Sequence, residues 1–163
     1  MKLLVAILLV SAATVDAQRR APGAPAEKTV PLTIALKAGG KVYNFNGEGK
    51  CTYAPLASIY AMRAEQWTAE RTGDAPGATM TVWHPAIGND MVTLAFTIGD
   101  RRYSMNTVKV GAKGTPEGSG TVTIAREGAG GSFTISGTTG DGTAISGTVK
   151  CGAFSRPREE GGH

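Results

Sequence analysis

Histidine is scarce in this chain, and its scarcity narrows the chemistry that the chain supports. There are two histidines, His84 in the body of the sequence and His163 at its end. Protein zinc sites commonly use two or three imidazoles, so a single histidine in the body argues against such a centre. The G-x-S-x-G nucleophile elbow and the lysine-bearing phosphate loop are also missing. The sequence therefore predicts no cofactor and no metal site.

Cysteine is equally scarce, with only Cys51 and Cys151. Neither belongs to a C-x-x-C pair and neither has an adjacent histidine, which disfavours a metal-binding or nucleophilic thiol. Two cysteines in an exported chain favour a disulfide. The pairing would close a loop of about one hundred residues and tie the early part of the domain to its last strand.

Long apolar runs are missing after the first residues. The opening combines Lys2 with an apolar run over residues 3–10 and the small residues of Val15-Asp16-Ala17, which is typical of a signal peptide cut before Gln18. The run is too short to span a bilayer as a helix, and no later segment predicts a transmembrane span. We expect an exported chain of bacterial type, periplasmic or extracellular.

Composition and charge divide the rest of the chain and limit its partners. Residues 18–27 predict a flexible N-terminal segment, residues 28–154 a β-sandwich domain and residues 155–163 a disordered tail. The net charge is +4, and part of it lies in the two tails. Arg101-Arg102 is the only basic pair of the domain, which argues against nucleic-acid binding.

The sequence is rich in glycine and in short runs where apolar and polar residues alternate. Residues 28–37 place Val30, Leu32, Ile34 and Leu36 on one face, and three glycine-separated runs at 121–125, 132–136 and 143–151 alternate similarly. A period of two predicts strands with one buried face. The pattern predicts an all-β fold, an antiparallel β-sandwich or small barrel of about nine or ten short strands closed by one disulfide.

Two segments need a separate assignment, the first strand and residues 54–71. Pro31 lacks a backbone N–H, which predicts that the first strand is an edge strand. Residues 54–71 fit either a helix or strands, because Leu56, Tyr60 and Trp67 make a helical stripe while residues 65–71 alternate. We favour short strands at 58–61 and 66–71.

A few side chains are candidates for a site. His84 is interpreted first as a solvated histidine at a strand end; the alternative is a general base oriented by Asp90 or Glu70. No residue is assigned a catalytic role. The candidate binding surface consists of Trp83, His84, Tyr60, Arg101 and Arg102.

The absence of a catalytic constellation favours a secreted or envelope non-catalytic module that binds a protein, glycan or surface partner. One alternative is a small secreted hydrolase that uses His84. The other is a carrier of an apolar ligand, enclosed by the sheet. Sequence alone leaves the question of enzymatic activity open, together with the oligomeric state.

Overall fold

Nine β-strands make up the computed structural model, which describes residues 28–71 and 77–157. The predicted signal peptide and the segment 18–27 lie outside the described residues. No helix occurs in the described ranges. The strands are β1 (Val30–Ala38), β2 (Lys41–Ile59), β3 (Met62–Arg71), β4 (Ala78–Pro85), β5 (Met91–Ile98), β6 (Arg101–Asn106), β7 (Ser119–Glu127), β8 (Gly130–Thr138) and β9 (Ala144–Cys151).

All nine strands belong to one antiparallel sheet in the order β6-β5-β4-β3-β2-β1-β9-β8-β7. The sheet curls until its outer strands meet: the N–H of Asn106, at the end of β6, donates to the carbonyl of Glu117 at 2.9 Å, and the reverse bond measures 2.8 Å. Met105 fills this seam, since a Cβ on Gly120 would lie 2.7 Å from its sulfur. The all-β prediction is confirmed, and the architecture is a nearly closed barrel.

The core lies inside the barrel, because alternate side chains of each strand point inward. In β1 the pattern is strict, with Leu32 and Leu36 fully buried and Thr33 exposed between them. The largest fully buried rings, Phe96 and Phe133, come from β5 and β8. A second apolar cluster, of Ile59, Ala64, Met91 and Val108 with Trp83 packed against it, includes residues of the β6–β7 connection.

Strands and not a helix occupy residues 54–71, but the predicted strand at 58–61 is wrong, because Tyr60 and Ala61 form the turn between β2 and β3. β2 continues to Ile59 through a register shift between Ala54 and Ala57, and β3 returns antiparallel from Met62. The turn between them is Tyr60-Ala61, whose φ values are 48° and 66°. These left-handed conformations are uncommon in residues other than glycine, so this turn is strained.

The prediction that β1 is an edge strand is wrong, because β1 pairs with β2 on one side and β9 on the other. Pro31 is tolerated because the β9 ladder begins only at Leu32, opposite Cys151. The Pro31 carbonyl accepts from the N–H of Gly152 at 2.8 Å, just past the end of β9. The missing N–H of Pro31 therefore costs no ladder bond.

The predicted disulfide is present. Cys51 of β2 and Cys151 of β9 are joined, with an S–S distance of 2.02 Å, and both are buried. β1 lies between these two strands in the sheet order, and its ladder with β2 ends at the Val30–Gly49 pair, before β2 reaches Cys51. The chain then returns to β2, where the N–H of Tyr53 donates to the carbonyl of Ser155 at 2.9 Å. Ordered contacts thus extend past residue 154.

The barrel has two ends, named here after one residue each. The Asp141 end carries the turns at 39–40 and 99–100 and the loop 139–143. The Tyr60 end carries the turn at 60–61 and the loop 86–90. The Asp141 end is tied across the sheet, because Arg101 of β6 donates to Asp141 Oδ2 at 2.7 Å.

Candidate functional site

Polar side chains meet at the Tyr60 end because three neighbouring strands reach it in register. His84 is two residues beyond the buried Val82 of β4, so it lies on the inward face where the strand leaves the core. Glu65 of β3 is its direct cross-strand partner. On the other side, His84 Nδ1 lies 2.6 Å from Asp90 Oδ1, just before β5 begins.

The contact between His84 and Asp90 orients the imidazole. In the neutral ring, Nδ1–H donates to the carboxylate and Nε2 is left as the acceptor. The His84 side chain is 55 % exposed and lines both clefts of this end. This pair is the arrangement that general-base catalysis needs from a histidine and its orienting acid.

A second set of contacts surrounds Tyr53 on the same side of the barrel. Its ring stacks on Trp67 at 5.0 Å, and the guanidinium carbon of Arg126, from β7, lies 4.6 Å from the ring centre. Partial burial raises the pKa of Tyr53, and its hydrogen bond with the neighbouring Glu65 raises that pKa further. Tyr53 therefore keeps its proton and ties Glu65 and Arg126 into one network.

Two clefts open at this end and share Glu65 and His84. The first, of about 480 Å³, lies between β7 and strands β3 and β4, with Asp90 and Arg126 also in its lining. The second, of about 650 Å³, is mostly apolar and is bordered by Leu56 and Ala86 among others. A ligand or partner here would contact the polar side chains of Glu65 and His84 beside aliphatic side chains such as Leu56.

The indole Nε1–H of Trp67 is a buried donor in a residue that lines the first cleft. Trp67 is buried and lines the cleft, and its Nε1–H has no hydrogen-bond acceptor among the described residues. A buried donor without a partner costs ~1–3 kcal/mol.

Apolar side chains are exposed on the loops of the same end and in the last part of β2. Leu56 is 90 % exposed and Ile87 83 % exposed, and Tyr60 is half-exposed. The loops are neighbours, since the N–H of Ala86 donates to the carbonyl of Arg63 at 3.1 Å. Among the described residues, the other large apolar side chain of comparable exposure is Val42, at the Asp141 end.

The residues predicted as one binding surface are divided by the structure. Tyr60 and His84 lie at the same end, whereas Trp83 points to the outer face and packs half-buried in the second apolar cluster. Arg101 and Arg102 begin β6 at the opposite end, where Arg101 pairs with Asp141.

Of the two acids proposed as partners of His84, only one lies beside it. Asp90 contacts it, while Glu70 pairs with Thr79 towards the other end of β3. Sequence reasoning left out Glu65, although its spacing of two from Trp67 placed it on the same strand face. No sequence pattern linked Arg126 to this site. It belongs to β7, which is distant from β3 and β4 in the sheet order and comes near them only because the sheet curls.

The described residues contain neither a metal-binding cluster nor a membrane-spanning helix. No group of three or more His, Cys, Asp or Glu side chains in the described ranges is placed to hold a metal ion. No helix in those ranges is long and apolar enough to cross a bilayer. A scan against models of protein families, a search of curated proteins and a search of solved structures each found no match.

Proposed function

We propose that this chain is an exported, non-catalytic module that binds its partner through the Tyr60 end of the barrel. The observation that carries the proposal is the exposure of Leu56, in the last part of β2, and of Tyr60 and Ile87 on two adjacent loops, beside clefts that share Glu65 and His84. Single exposed apolar residues are ordinary, but a group of them is typical of interaction sites. A buried disulfide is compatible with an oxidising compartment.

The experiment compares how the purified chain is retained on surface material from its producing cells. We expect the wild type to be retained and the double variant Leu56→Asn/Ile87→Asn to lose at least about 90 % of that retention, since polar side chains remove the apolar contact. Val42→Asn is the matched control, because Val42 is 49 % exposed at the Asp141 end. Equal retention of all three proteins would overturn the proposal.

A second candidate function, hydrolysis, is favoured by the contact of 2.6 Å between His84 and Asp90. His84 Nε2 would remove a proton from water, whose oxygen would attack an ester carbonyl carbon in the first cleft. The proton would then pass to the departing alkoxide. The guanidinium of Arg126, in the same cleft lining, would stabilise the negative oxygen.

This candidate is tested on a panel of chromogenic esters. His84→Ala should lower the rate by at least about a hundredfold, which is the usual contribution of a general base. Asp90→Asn should lower it less, and Glu70→Gln, at the other end of β3, serves as the control. A wild type without esterase activity, or a His84→Ala variant that keeps it, would rule out the hydrolase.

No specific observation favours the carrier of an apolar ligand. The barrel interior is occupied by buried side chains, among them Phe96, Phe133 and Leu32. The first cleft of the Tyr60 end borders this core at Trp67 and Val122, and the second cleft is lined by none of its members.

A further inference from the structure

The apolar side chains of the Tyr60 end sit on projecting tips. Leu56 lies beside the register shift of β2, Tyr60 is in the β2–β3 turn and Ile87 is in the β4–β5 loop. Open clefts separate the tips, with Leu56 and Ala86 on the walls of one and Ile87 on the wall of another. The apolar surface is therefore carried by protruding points, with no flat continuous patch between them.

The backbone of the turn that carries Tyr60 is strained. Hairpin turns of this type prefer Asn-Gly, whereas this chain holds Tyr60-Ala61 at φ values of 48° and 66°. Strain of this kind is concentrated at functional sites. Here it presents an aromatic ring to solvent.

Unpaired basic side chains lie beside the tips. Arg63 and Lys109 are exposed, and neither forms a salt bridge with another described residue. Arg63 lines the cleft of Leu56, and Lys109 lines the cleft of Ile87. Of the nearby acids, Asp90 contacts His84 and Glu65 bonds to Tyr53, whereas the exposed Glu117 forms no salt bridge with another described residue.

We infer that the partner of the Tyr60 end is an anionic phospholipid surface, into whose headgroup region Leu56, Tyr60 and Ile87 insert. Aliphatic tips reach the acyl boundary, a tyrosine suits the interface, and Arg63 and Lys109 attract the negative headgroups. A protein interface has a close-packed apolar core, which separated tips do not supply. The inference rests on the proposed function, because it names the partner of the same end.

The test measures binding of the purified chain to sedimented vesicles. Vesicles of phosphatidylcholine with about one third phosphatidylglycerol should bind the wild type at least about tenfold better than pure phosphatidylcholine does. Raising the salt from about 0.05 M to about 0.5 M should weaken binding, since screening shortens the reach of the charges. Leu56→Asn/Ile87→Asn should lower binding at least about tenfold, with Val42→Asn as the matched control.

A charge variant separates the two contributions. Arg63→Gln/Lys109→Gln should remove the preference for anionic vesicles while leaving weak, salt-independent binding. Lys37→Gln/Lys41→Gln, two exposed lysines near the Asp141 end, is its control. If Lys37→Gln/Lys41→Gln weakened vesicle binding as much as Arg63→Gln/Lys109→Gln, the inference would be overturned, because the attraction would then be due to net charge alone.

The remaining outcomes distinguish this inference from the proposed function. A wild type that ignores anionic vesicles overturns the lipid partner. If Leu56→Asn/Ile87→Asn still abolishes retention on cell-surface material, the binding module stands and its partner is a protein or glycan. A wild-type dimer that the same variant dissociates identifies a second copy as the partner and also overturns the lipid inference.

Discussion

Asp141 connects parts of the chain that lie far apart in the sheet order. Its carboxylate accepts hydrogen bonds from the Thr139 hydroxyl, from the backbone N–H of Thr143 at 3.1 Å and from Arg101 at 2.7 Å. The first two bonds shape the β8–β9 loop, and the third reaches β6 at the other edge of the sheet. The Thr139 bond is the main cause that holds the pKa of Asp141 well below its ordinary value.

The lowered pKa of Asp141 predicts an acid-sensitive part of the stability. A carboxyl group whose folded pKa lies below its unfolded pKa stabilises the fold above the unfolded value, near 3.8. That stabilisation is lost as the pH falls further. We therefore expect Asp141→Asn to lower the melting temperature at pH 7 and to approach the wild type below about pH 3.

Thermal unfolding followed from pH 7 to pH 2 measures this difference. Asp100→Asn is the matched control, since Asp100 is exposed in the neighbouring β5–β6 turn and has no hydrogen bond to a described residue. A difference between Asp141→Asn and the wild type that stays constant over the pH range would contradict the assignment.

At the scale of a single element, the β2–β3 hairpin combines a demanding turn with an irregular strand. Nineteen residues of β2 follow the barrel wall, and the register shift between Ala54 and Ala57 bends its last part. Irregularities of this kind re-aim side chains at barrel rims. The bend and the turn together bring Leu56 and Tyr60 to the outside of the Tyr60 end.

The strain of this turn predicts that a glycine would stabilise it. Ala61→Gly removes a Cβ from a left-handed conformation, and the gain exceeds the added freedom of the unfolded chain, so stability should rise by about 0.5–1 kcal/mol. Chemical denaturation measures the change. Gly40→Ala is the reverse control: its φ is 77° and a Cβ there meets nothing within 4 Å, so it should destabilise. A neutral or destabilising Ala61→Gly would show that the turn is relaxed.

At the scale of the whole molecule, closure depends on a few contacts between distant parts of the chain. The seam of β6 and β7 is short, with the Asn106–Glu117 bridge and the Met105 side chain as its main links. The Cys51–Cys151 bond links β2 to β9 on the opposite side of the barrel. After β9, the N–H of Ser155 donates to the carbonyl of Cys51, and the carbonyl of Ser155 accepts from the N–H of Tyr53.

The disulfide should contribute a large share of the net stability. It spans 100 positions, and in the chain-entropy model such a loop stabilises by up to about 4–5 kcal/mol. Urea denaturation of Cys51→Ser/Cys151→Ser should show a loss of that order. Free-thiol titration of the unfolded, unreduced wild type should find no thiol, and two titratable thiols would refute the bond.

Much of this fold follows from local pattern. The period of two in residues 28–37 and 121–151 predicts strands because one face of each is buried, and two cysteines in an otherwise thiol-free chain leave one pairing. The ambiguity of residues 54–71 has the same origin, since Leu56, Tyr60 and Trp67 also fit a helical spacing. Neighbouring strands decide in favour of strands, because they supply hydrogen-bond partners for the backbone N–H and C=O groups of these residues.

The sequence by itself determined that the chain forms antiparallel strands, where most of them lie and which two cysteines join. The tertiary structure decided that the sheet curls into a barrel, that β1 is interior, and that His84 meets Asp90 and Glu65 while Arg101 lies at the far end. The physical reason is that strand order, register and curl result from many weak contacts summed over the sheet. Alternation within one strand shows only which face is buried and cannot show which side chains of other strands will lie beside it.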